Sequence, residues 1–176
     1  MSVEPKNLLF LDESGANLQM APLYGRAYKK ERAYQAVPFN RGTRMTMIGV
    51  ISCQKVEAAV YGEWSANGET FLEFIEKNVC PVLKKGQVLV MDNVAFHKVS
   101  GIREAIEKKG VRLVYLPPYS PELNPIELMW SKIKNCLRNA QARTCECFKK
   151  AIKHAFESIE QNDLIAWFNH SGYFAQ

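Results

Sequence analysis

The chain has no apolar run approaching the roughly 18 residues of a membrane span; its longest, in "NLLFL" and "QVLVM", are strand-length pieces. The opening "MSVEPKN" has no apolar stretch like that of a signal peptide. A soluble, cytoplasmic protein with no membrane partner is therefore expected. No C-x-x-C spacing occurs, and the five cysteines, Cys53, Cys80, Cys136, Cys145 and Cys147, are odd in number and lie mostly in apolar segments. A zinc site and a disulfide framework are thus not expected, and free buried thiols are. Internal repeats and low-complexity tracts are also missing, which excludes solenoids and disordered arrays.

What is present is enough for one core. The chain has 176 residues and 47% hydrophobic content, which fits a single domain spanning residues 1–176. Its net charge of +5 is modest. The cations, however, cluster in "GRAYKKER" (25–32), in "RGTR" (41–44) and between Lys132 and Lys153. Such clusters fit a polyanionic partner or, more simply, a solvated surface.

Strands are expected at 7–12, 45–53, 87–93 and 111–117, with a weaker one at 32–39; the first three in sequence read as an antiparallel meander. Helices are expected from Thr70 to the stop at Pro81, at 101–110, 125–139, 145–161 and 163–170. This order describes an α/β mixed sheet with helices packed on its faces.

Two of the strands end in an acid. A two-residue period puts Leu8, Phe10 and Asp12 on one face, and Val88, Val90 and Asp92 on the corresponding face of the other strand. If these strands are parallel neighbours, about 4.8 Å apart, the carboxylates flank a gap suited to a divalent cation. Each acid could equally well begin a turn, since "DESG" and "DN" are good turn chemistry. Glu13, next to Asp12, belongs to the opposite face and is a poor ligand.

A third acid comes from "LPPYSPELNPIELMW" (116–130). Its prolines fix φ at several positions and deliver one helical turn to one place. Asn124 as N-cap, Pro125 at the first helical position and Glu127 at the third read as a capping box, which is itself a sufficient account of Glu127. On the same helix Ile126, Trp130, Ile133 and Leu137 form the buried stripe. Glu127, Ser131, Lys134 and Arg138 flank it, so a carboxylate followed by two cations suits a metal site bordered by phosphates. Glu122 lies before the helix and ranks as a distant fourth acid.

"LFLDESG", "VLVMDNVAFHK" and "LPPYSPELNPIELMWSKIK" together resemble the three blocks of the DDE catalytic domain of mariner-like transposases, in the branch carried by bacterial insertion sequences. Thirty-four residues separate Asp92 from Glu127, the interval of that branch. The resemblance implies a ribonuclease H-like fold of three antiparallel and two parallel strands with helices on both faces. It makes Asp12, Asp92 and Glu127 the catalytic acids and metal ligands. The implied cofactor is Mg²⁺, replaceable by Mn²⁺, as two ions, and the implied reaction is cleavage and transfer of DNA strands. DNA, both transposon ends and target, is the implied partner, with a homodimer possible and the nucleoid as its place when bound. Lys134, Arg138, Arg26, Lys29 and Lys30 are expected to contact DNA. His97, five residues after Asp92, is expected either to touch DNA or to be structural. The family's N-terminal helix-turn-helix modules are not expected within these residues, since the first core strand is expected to begin by residue 7. Two alternatives stand beside this reading: a hydrolytic nuclease of the same fold, and a catalytically silent domain that binds DNA or a protein.

Overall fold

In the computed structural model, which describes residues 3–175, one five-stranded sheet carries the molecule. The strands are β1 (Leu8–Asn17), β2 (Arg44–Ile51), β3 (Val56–Gly62), β4 (Val88–Met91) and β5 (Arg112–Tyr115), in the order β3-β2-β1-β4-β5. β1, β2 and β3 pair antiparallel, and β4 and β5 add in parallel on the far side of β1. β4 is short and apolar because both of its faces are covered, whereas the edge strands β3 and β5 are only partly buried.

The pleat sends alternate β1 residues to opposite layers. Leu8 and Phe10, with Val88 and Val90, pack under α3 (Ile126–Ala140), α4 (Cys145–Glu157) and α5 (Gln161–His170). Leu9 and Leu11, with Leu89 and Met91, pack against α1 (Gly68–Phe74), the π-helical turn Ile75–Val79 and α2 (Ile102–Glu107). The expected stripe on α3 is buried at Ile126, Trp130, Ile133 and Leu137, and Met129 joins it. No described helix is long and apolar enough to cross a membrane.

Three expectations need correction. Residues 32–39 form no strand; they lie in an exposed segment joining β1 to β2, and the third strand of the meander is β3. The aromatic and β-branched residues of 32–39 mimic strand composition but have nothing to pack against, as Tyr34 and Phe39 are almost fully exposed. Asp12 does not end its strand, because β1 continues to Asn17 paired with β2 alone. Of the five free cysteines, only Cys53 and Cys80 are buried.

Candidate active site

The parallel register pairs Leu8 with Val88 and ends at Leu11 with Met91. The next residue on each strand is an acid, Asp12 and Asp92, so the carboxylates stand where the two strands part. Glu127, in the first turn of α3, joins them. All three line one cavity of about 400 Å³, closed on its other side by Leu116–Pro121 and Asn124. Asp12 is buried, Asp92 half-buried and Glu127 exposed, so the cavity grades from a dry floor to an open mouth.

A close backbone approach holds Asp12. Its register partner on β2 is Gly49. A Cβ at Gly49 would come within 3.1 Å of the Trp130 ring, so glycine lets the indole of α3 approach the sheet there without shifting. Trp130 Nε1 then donates to Asp12 Oδ2 at 3.1 Å. Burial, followed by the carboxylates of Glu13, Glu127 and Asp92, pushes the Asp12 pKa up to about 8. Such a carboxyl is held protonated by its surroundings until a cation offsets them.

His97 anchors Asp92. It is fully buried, stacked on Phe71 with ring centroids 4.3 Å apart and edged by Phe96 at 4.5 Å. Its Nε2 lies 2.8 Å from Glu13 Oε1, and its Nδ1 lies 2.7 Å from Asp92 Oδ1 and 3.3 Å from the Asp92 carbonyl. Burial alone would lower the His97 pKa; contact with Asp92 and Glu13 outweighs it and raises the value to about 9. The imidazolium is thus a buried cation between two carboxylates, and both ring nitrogens donate. Although Nδ1 approaches Asp92 Oδ1 closely, that oxygen meets no donor at hydrogen-bonding angles, because the carbonyl takes the directed bond. Burial rules out direct DNA contact by His97, which corrects that expectation. Glu13, dismissed as a ligand, is the residue whose role was missed. Its position on the face opposite Asp12, and an apolar neighbourhood around a lone His, were the available signals.

The capping box is not formed. Asn124 makes no side-chain cap; its Oδ1 is buried in the cavity wall without a partner. Glu127 is therefore not a capping residue. Asn124, with its buried and unpartnered Oδ1, lines the same cavity as the three carboxyls, one of which has a raised pKa. Hard oxygen donors of this kind suit Mg²⁺ or Mn²⁺. As the side chains are placed, no three His, Cys, Asp or Glu groups among the described residues converge closely enough to hold an ion. Donor chemistry fits the cation; closure of the ligands would have to accompany binding.

Lys134 and Arg138 lie half-buried on the α3 flank that begins with Glu127, whereas Arg26, Lys29 and Lys30 are exposed on the segment between β1 and β2. That segment is tied down at its root, where Arg143 donates to the carbonyls of Leu18 and Met20.

Comparison with known proteins fits this arrangement. A family model described as DDE superfamily endonuclease matches residues 7–149. The chain is 25% identical over 175 residues to the Transposable element Tc3 transposase of Caenorhabditis elegans, covering 93% of this chain and 53% of the relative. Its structure resembles the Mos1 transposase paired-end complex with left transposon end, with a TM-score of 0.78 at 15% identity over 97% of this chain and 52% of that one. It also resembles the Mos1 mariner paired end complex with Mn, with a TM-score of 0.72 at 16% identity over 96% of this chain and 52% of that one. The chain thus spans about half the length of these relatives. The shared fold is the ribonuclease H-like mixed sheet that the motif order implied.

Proposed function

Since the chain belongs to the DDE superfamily endonucleases, we propose that the Asp12–Asp92–Glu127 cavity cleaves DNA strands and transfers their ends by metal-dependent phosphoryl transfer. The observation that carries this reading is the meeting of three carboxylates, from two strands and a helix, in one cavity lined also by Asn124, whose buried Oδ1 has no protein partner. Asp12, Asp92 and Glu127 would hold two Mg²⁺ or Mn²⁺ ions. Bound there, such ions would activate a water or a 3′-hydroxyl and neutralise charge on the leaving oxygen.

The residues themselves have separable tasks. Trp130 fixes one oxygen of Asp12, leaving the carboxylate one orientation toward the cavity. The Glu13–His97 pair holds Asp92 from behind and keeps its charge from repelling Asp12 outright. The proline-rich loop excludes water from one side and sets where α3 begins. Lys134 and Arg138 would meet the DNA backbone as it leaves the cavity, and Arg26, Lys29 and Lys30 would extend the cationic track.

One observation favours a second reading, a silent DNA- or protein-binding domain: the acids do not converge on an ion as they stand. Metal binding decides between the two. Calorimetry with Mn²⁺ should show binding to the wild-type chain that Asp92→Asn removes, and duplex DNA should be nicked by the wild type alone. Nicking that survives Asp92→Asn would refute the assignment; no Mn²⁺ binding would favour the silent domain.

A further inference from the structure

The loop that closes the cavity holds one residue in a conformation its own chain does not reward. Tyr119 has φ 57°, the left-handed region that an aromatic residue adopts only under constraint. Its ring is fully exposed, so no packing inside the molecule offsets that conformation. The backbone around it is tied at both ends. Leu116 N donates to the Met91 carbonyl at 2.9 Å, Asn124 N donates to the Pro121 carbonyl at 3.0 Å, and the Tyr173 hydroxyl donates to the Leu123 carbonyl at 2.9 Å. Pro117, Pro118 and Pro121 remove further freedom. The result is a rigid mount for one outward-facing ring on the wall of the cavity that contains Asp12, Asp92 and Glu127.

A planar π-surface beside a phosphodiester site matches the face of a nucleobase. Every base has such a face, and an aromatic side chain stacks on it whatever the sequence. A base can reach the ring only if it has left its own helical stack. We propose that Tyr119 is a stacking platform for an unpaired base next to the scissile phosphate, so that DNA enters the cavity with its terminal pair opened. This rests on reading the cavity as the DNA-cleavage site and adds the form of the substrate: an opened duplex end.

The test compares two duplexes in EDTA, where no cleavage occurs. One carries a mismatched, opened terminal pair; in the other the same terminal nucleotide is abasic. Fluorescence anisotropy gives the ratio of their affinities. Wild-type protein should prefer the opened pair about tenfold, Tyr119→Ala should lose the preference, and Tyr119→Phe and Tyr119→Trp should keep it. Tyr119→Gly should also lose the preference while raising the melting temperature, because glycine adopts the same φ without strain. An equal ratio in wild type and Tyr119→Ala overturns the proposal, as does a wild-type ratio near one. A melting temperature that falls in both the Ala and Gly variants also overturns it, since the ring would then be supporting the loop. Cleavage retained by Asp92→Asn would sink the active-site assignment while leaving this ratio readable, so the two failures are distinguishable.

Discussion

Replacing Asp12 with Asn should stabilise the metal-free protein while abolishing its activity. The carboxyl is 7% exposed, and its pKa rises from 3.8 to about 8. A raised acid pKa means that the folded state binds a proton more tightly than the unfolded state. Stability from this group is complete below about pH 4 and is lost as pH rises toward 8. At about 1.4 kcal/mol per pK unit, the loss at pH 7 has a ceiling of ~4 kcal/mol, and relaxation of the cavity reduces it to ~1–3 kcal/mol. Asparagine keeps an oxygen for the Trp130 Nε1 bond and has no proton to lose. In a chain of this size, the gain should raise the melting temperature by ~3–10 °C at pH 7. The assay is thermal unfolding in EDTA between pH 5 and 6.5, a window below the region where His97 loses its contribution. Wild-type stability should fall with pH across it, the variant's should stay level, and added Mn²⁺ should stabilise only the wild type. Parallel pH slopes for the two proteins would refute the reasoning, because Asp12 would then not be the group that titrates.

Glu127→Gln should lower nicking by at least about a hundredfold while moving the melting temperature by less than ~2 °C, since the side chain is exposed and caps nothing; turnover and unfolding measured on one preparation check it. Glu13→Gln keeps an acceptor for His97 Nε2 but removes one of its two anionic partners, so the His97 pKa should fall from about 9. The His97 contribution, complete below pH 6.5 and lost toward pH 9, should then disappear at lower pH; NMR titration of the ring reads this directly. The double change Lys134→Ala and Arg138→Ala should weaken binding to all DNA sequences alike and flatten the log-affinity against log-salt slope by about two, measured by anisotropy over a salt series.

Much of this arrangement could be read in the residues because periodicity and register carry it. Continuous apolar runs marked β1 and β4. The acids that close those runs, Asp12 and Asp92, had to share a face, and the α3 stripe put Glu127 on its flank. What could not be read depends on contacts across long separations. Glu13 and His97 meet over 84 residues, and nothing local to either signals a partner. Gly49 looks like an ordinary break in an apolar strand until Trp130 lies on it. The misplaced meander strand has the same origin. Residues 32–39 have strand composition with no surface to cover, whereas "VEAAVYG" has small residues and does pair, because β2 offers it an edge. The apparent capping box failed because the Asn124 side-chain oxygen is buried and meets no backbone N–H of α3.

The central place of β1 has a consequence for how the protein is made. β2 and β3 are complete by residue 62, but the parallel partner of Leu8 is Val88. At a synthesis rate of ~5–20 residues per second, β1 waits roughly 4–15 s for that partner, with its second edge unpaired. Until β4 is made, the chain holds only one of the three carboxylates that meet in the cavity. The second arrives with β4 and the third only with α3. A chain interrupted anywhere before Glu127 therefore lacks one of the three acids, and the cavity they line is completed only with α3.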